Sequence, residues 1–181
     1  LNLGLSFVYS LNTENSQNSF YVYPQATASY RLAGDYFIPY AGLEGNLQQN
    51  SYYEFAQENP YVAPGLEILP TDMPYDIYLG AKGKLTNTVA YNFRGSYKIE
   101  NNKPLFLTND NYFARDQGYA FGNSFGTVYD DVNTLSLFGE LNIDIKRNFR
   151  LSLNAAAFSY SSDTQEEAWN LPDFKASILA D

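Results

Sequence analysis

The sequence predicts an all-β fold: an antiparallel, up-and-down transmembrane β-barrel, with about eight strands of a larger barrel in view. Three observations carry that prediction. Apolar and polar residues alternate with a period of two along run after run, as on a strand with one greasy and one wet face. The links between runs are short and long by turns. Charged residues make up only 17% of the chain and aromatics another 17%, where an ordinary soluble domain carries roughly 25% charged residues.

The first predicted strand covers residues 1–10, with Leu1, Leu3, Leu5, Phe7 and Tyr9 on one face. The second covers 19–32, where Phe20, Val22, Ala26, Ala28, Tyr30 and Leu32 alternate with Tyr21, Tyr23, Gln25, Thr27, Ser29 and Arg31. Pro24 interrupts it and predicts a bulge or a locally unpaired spot, because proline brings no ladder donor. The third covers 36–49, after a short Ala33-Gly34-Asp35 turn. Residues 50–74 hold Pro60, Pro64, Pro70 and Pro74 and read as a long loop.

The fourth and fifth strands, 75–85 and 89–100, give the clearest pattern. Tyr75, Ile77, Leu79 and Ala81 oppose Asp76, Tyr78, Gly80, Lys82 and Lys84. Val89, Tyr91, Phe93, Gly95, Tyr97 and Ile99 oppose Ala90, Asn92, Arg94, Ser96, Lys98 and Glu100. The Thr86-Asn87-Thr88 link makes them a hairpin. A second long loop spans 101–133. The sixth strand covers 134–145, the seventh 149–160 across a Lys146-Arg147-Asn148 turn, and the eighth 173–181.

Short turns follow the second, fourth and sixth strands, and longer links follow the first, third, fifth and seventh. All tight turns therefore lie at one end of the sheet and all long loops at the other, the plan of outer-membrane barrels. A strand of about 10 residues, tilted about 45°, spans roughly 23 Å, close to the apolar band of such barrels.

Alternation alone does not say whether the greasy face meets a core or lipid, since a soluble barrel or sandwich alternates too. Lipid is favoured by ionisable residues at mid-strand on the wet face, namely Lys82, Arg94 and Glu140. Tyr36, Phe37, Tyr75, Tyr91, Tyr97 and Phe149 near strand ends match interfacial aromatic girdles. Loops of about 25 and 33 residues are uncommon in small soluble domains unless they serve a function.

Composition removes whole classes of function. There is no cysteine and no histidine, which excludes disulfide frameworks, Cys/His zinc sites and histidine-based catalysis. The net charge of −9 makes nucleic acid a poor partner, while cationic solutes or divalent ions at a membrane surface are compatible with it. Residues 1–12 alternate and lack the basic start of a signal peptide, and 171–181 stop within a strand pattern. The chain is therefore expected to be part of a longer one, or a fragment.

The stretch YVYPQATASYRLAGDYFIPYAGLEGNLQQNSYYEFAQENPYVAP and the later PTDMPYDIYLGAKGKLTNTVAYNFRGSYK resemble outer-membrane barrel proteins of Bacteroidetes-type bacteria, of the TonB-dependent receptor and receptor-like kind. The resemblance covers most of the chain from Phe20 onward, in strands and loops rather than in a catalytic or ligand motif. It implies a barrel of more than eight strands. In true transporters it also implies a plug and a TonB box, neither of which lies in these residues, and some members look like barrels without a plug.

The candidate residues follow from this reading. Lys82, Lys84, Arg94, Lys98, Glu140, Asp144 and Arg150 are expected to line the lumen. Glu140 and Asp144 lie four apart on one face, a spacing that also suggests paired-carboxylate chemistry, but charges balanced by Lys82, Lys84, Arg94 or Arg150 explain them better. The loop aromatics Tyr52, Tyr53, Phe55, Tyr61, Tyr112, Phe113, Tyr119 and Phe121 are candidates for stacking on a solute or docking a protein, or else pack the loops together. Trp169 reads as an anchor at the outer interface. The acids at 109–111 and 130–131 lack the spacing of a calcium loop and read as solvated.

The expected function is a receptor-like channel of the bacterial outer membrane, passing or capturing a small solute, with no catalysis, cofactor or bound metal. The rival is a structural or accessory barrel whose loops dock partner proteins in a membrane complex. A soluble lipid-binding barrel is a third reading.

Overall fold

The structure is a computed structural model, which describes residues 1–11, 18–109, 124–146 and 149–180. Eight strands form one sheet in strict sequence order: β1 (Asn2–Leu11), β2 (Asn18–Ser29), β3 (Ile38–Gln48), β4 (Thr71–Thr86), β5 (Val89–Thr108), β6 (Phe125–Lys146), β7 (Phe149–Ser162) and β8 (Phe174–Ala180). Every neighbouring pair is antiparallel. Among the described residues β1 and β8 do not pair with each other, so the sheet is open and has the arrangement of a section of barrel wall. No described helix is long and apolar enough to cross a membrane.

The registers place the predicted faces. One row across the sheet runs Ala28, Ala41, Leu79, Gly95, Leu137, Ala157 and Phe174, all paired in turn. The next row, on the opposite face, runs Ser29, Tyr40, Gly80, Arg94, Phe138, Ala156 and Lys175. The apolar face has no second layer over it among the described residues: Leu79 is 72%, Leu137 64% and Ile178 76% exposed. A soluble barrel or sandwich would bury these side chains.

The strands depart from the predicted bounds chiefly at the loop end. β4 begins at Thr71 rather than at 75, β5 runs to Thr108 rather than 100, and β6 starts at Phe125 rather than 134. Much of the predicted 101–133 loop is therefore ladder. Asn101-Asn102, the start of the predicted loop, is an irregularity in a continuing strand. Asn102 takes φ 55°, which asparagine tolerates, and pairing resumes at Lys103↔Asp130. Pro74 lies inside β4 at register breaks on both sides, with no partner in either ladder, so its missing N–H costs nothing. Pro24 pairs with Leu5 on one side, while the β2–β3 ladder stops at Gln25 on the other. That is the unpaired spot expected there.

The predicted 50–74 loop also contains a helix, α1 (Tyr52–Glu58). Ser51 caps it: its Oγ accepts from the Glu54 N–H at 3.3 Å and donates to Glu54 Oε2 at 2.9 Å. Under α1 lies a small apolar core of Phe55, Val62 and Phe106, with Leu66, Ile68 and Phe125 packed around it. At the opposite end, the β2–β3 link is longer than the three-residue turn expected, since the ladder between these strands ends at Ser29↔Tyr40. Bonds from Tyr30 N–H to Pro39 O and Leu32 N–H to Phe37 O, each 3.1 Å, still close the hairpin. Its tip docks on β4 through Lys84 N–H donating to Asp35 O at 2.9 Å.

Candidate functional site

Two regions concentrate polar and aromatic side chains: the wet face of β2–β7 and the layer of loops above it. On the wet face, two tyrosines lie across glycines of the neighbouring strand. Tyr40 is paired with Gly80, and Tyr78 with Gly42. A Cβ at either glycine would run into the ring, so the absence of a side chain is what admits the tyrosine. The two rings meet edge to face at 6.2 Å. Tyr40 Oη donates to Asn92 Oδ1 at 2.7 Å, and Tyr78 Oη donates to Glu44 Oε1 at 2.8 Å.

The cations fit around these rings. The Arg94 guanidinium stacks 3.8 Å from the centre of the Tyr78 ring and donates to Asp76 Oδ2 at 3.0 Å. Lys82 Nζ stands 5.7 Å from the centre of the Tyr40 ring. Lys98 Nζ is 3.8 Å from Glu100, whose buried carboxylate also meets Lys103 Nζ at 2.6 Å. Towards the turns, Asn142 donates to Glu140 at 2.8 Å and Ser152 donates to Asn142 at 2.6 Å. Arg150 Nε donates to Asp144 at 2.8 Å.

By register, Lys82, Lys84, Arg94, Lys98, Glu140, Asp144 and Arg150 all share this face. Their partners differ in part from expectation. Arg150 balances Asp144, but Glu140 is held by Asn142, and Arg94 is matched by Asp76, which sequence reasoning had not singled out. Tyr40 and Tyr78 were missed too. The signal for them was a tyrosine on the wet face of one strand and a glycine on the wet face of the next.

In the loop layer, Tyr52, Tyr53 and Tyr61 are exposed. Phe55 is not: at 3% exposure it packs edge to face against Phe106 at 5.8 Å, which removes it from the surface available to a partner. The other loop aromatics, Tyr112, Phe113, Tyr119 and Phe121, lie outside the described residues. Trp169, in the β7–β8 link, is partly exposed.

Of the acids expected to be solvated, Asp131 is exposed though hydrogen-bonded, and Asp130 is buried and engaged. Asp131 Oδ1 accepts from the Asn102 N–H at 2.9 Å. Asp130 is buried and accepts from Gln165 N–H at 2.8 Å, from the Thr164 N–H and hydroxyl, and from the Asp131 N–H. Burial pushes its pKa up, and these hydrogen bonds more than reverse that, holding the carboxyl below its usual range. Beside it, Tyr129 Oη donates to Glu67 O at 2.8 Å and accepts from Leu69 N–H at 2.9 Å, tying the β3–β4 loop to β6.

No family model matches the chain. No curated protein matches it. Among solved structures the chain is similar to one titled "Copper transporter OprC", with a TM-score of 0.49 and 15% sequence identity over 83% of this chain. The matched part spans 22% of that chain.

Proposed function

We propose that this chain forms part of the wall of a bacterial outer-membrane β-barrel, acting as a receptor-like channel that passes or captures a small solute. The observation that carries the reading is the pair of opposed faces. A continuous apolar face lies open on one side, and a hydrogen-bonded face of charges and tyrosines lies on the other. Apolar patches of this extent are unfavourable in water and stable against lipid. The polar face then belongs to the lumen, where Lys82, Arg94 and Glu140 meet water. The resemblance of residues 21–64 and 70–98 to TonB-dependent receptor-like barrels fits the same reading. No catalytic step is proposed.

The test is single-channel recording of the full-length protein in a planar bilayer. Discrete conductance steps are expected, and inserted protein that leaves the bilayer sealed counts against passage. The second reading, an accessory barrel that docks proteins through its loops, draws on Tyr52, Tyr53 and Tyr61 standing exposed on a layer fixed from below by Phe55. A partner recovered in fixed stoichiometry with the sealed barrel, and lost from a Tyr53→Ala/Tyr61→Ala double variant, would favour it.

A further inference from the structure

A cavity of about 430 Å³ opens on the wet face, lined by Ser29, Tyr40, Tyr78, Lys82, Asn92 and Arg94 among others. It is unusual for this chain. The net charge is −9, yet among the described residues the lining holds two cations and no carboxylate; Glu140 stands just beyond it, as the cross-strand partner of Asn92.

The two cations are not equivalent. Arg94 is neutralised by Asp76 at 3.0 Å. Arg31, Lys98, Lys103 and Arg150 likewise have a carboxylate within 4.0 Å. Lys82, like Lys84 and Lys175, has none among the described residues, but it alone of these lines the cavity, exposed beside the Tyr40 ring. An exposed lysine alone is ordinary, but the surroundings of this one are donor-rich. Asn92 Oδ1 is taken by the Tyr40 hydroxyl, which leaves the Asn92 amide hydrogens as donors next to Lys82 in the cross-strand pair Lys82↔Asn92. Arg94 spends one N–H group on Asp76 and lies over the Tyr78 ring, with further donors of its fork remaining. Asp76 is the chain's own example of an oxyanion held on this wall, and Lys82 lacks the equivalent.

We propose that this cavity is a subsite for a small oxyanion, the phosphate or carboxylate group of a solute, seated on Lys82 and the Asn92 amide with Arg94 alongside. The inference deepens the channel reading and rests on it for access, since a solute reaches this face only through a water-filled lumen. It gives an acidic protein a place that selects for anions within the wall.

The experiment is lysine acetylation of the full-length protein in micelles of an uncharged detergent, read peptide by peptide by mass spectrometry. Inorganic phosphate and succinate are compared with chloride at matched ionic strength. Either anion should slow acetylation of Lys82 about threefold at twice its dissociation constant, by mass action, with Lys175 unaffected. Asn92→Asp, checked for folding by heat-modifiable gel migration, should abolish the protection by placing a carboxylate against Lys82. Equal slowing at Lys82 and Lys175, or no slowing at either, overturns the subsite. Protection in anionic-lipid vesicles without added phosphate or succinate assigns the site to a headgroup and overturns it as well. Protection in a barrel that does not conduct leaves the subsite standing and sinks passage alone, whereas conduction without protection sinks the subsite alone.

Discussion

Asp130 shows how much one side chain organises the outer layer. It gathers donors from Thr164 and Gln165 and so pins the β7–β8 link to β6. A hydrogen bond to a charged group contributes about 1.5–3 kcal/mol, so Asp130→Ala should release this link. Its folded pKa is depressed, so the stabilisation is present above the unfolded value and lost as pH falls through the folded one. The window therefore lies below about pH 3.9, the usual aspartate value. Trp169, the one tryptophan, sits in the same link and reports on it. Its emission should shift on acidification in the wild type and already be shifted at neutral pH in Asp130→Ala. Identical wild-type and variant spectra at neutral pH would remove Asp130 from this role. None of this was legible beforehand, because the partners lie 34 and 35 positions away and nothing local marks them.

At the scale of elements, periodicity located each strand, because a half-buried or lipid-facing strand writes its two faces into alternate residues. It failed where composition imitated a loop. The Asn and Pro residues at 101–104 lie within β5, since the β6 ladder supplies the pairing that local propensity does not. The helix α1 was hidden by the surrounding prolines, although Ser51 followed three residues later by Glu54 is a capping signal on its own. Its anchor is Phe55. Truncating a buried phenylalanine costs about 3–5 kcal/mol, and here the loss falls on the loop layer and on the outer ends of β5 and β6, where Phe106 and Phe125 share its core. Phe55→Ala should raise amide hydrogen exchange across residues 51–63 and at Phe125, which bonds to them, while leaving residues 134–145 of β6 and all of β7 protected. Exchange that rises equally at residues 134–145 would mean that the layer and the wall unfold together.

The whole molecule is a wall with two unlike sides, and its orientation can be tested by charge. On a lipid face, arginine or lysine near the bilayer midplane costs about 2–4 kcal/mol. Leu79→Arg should therefore lower the fraction of protein that folds into vesicles, scored by heat-modifiable migration. Lys82→Gln, on the opposite face, should leave that fraction unchanged. The reverse pattern would turn the sheet inside out, with the apolar side facing a core.

By itself the sequence determined the strand count in view, the antiparallel order and which residues share a face, because these depend on local periodicity and link length. It also named the charges of the wet face from Lys82 to Arg150. Only the tertiary structure decided their partners. Arg94 is matched to Asp76, Tyr40 and Tyr78 lie over Gly80 and Gly42, Phe55 turns inward, and Lys82 is left beside a donor-lined cavity with no carboxylate partner among the described residues. The physical reason is register. Which side chains face each other across strands depends on how bulges and turns align neighbouring ladders, and a shift of one residue exchanges the two faces.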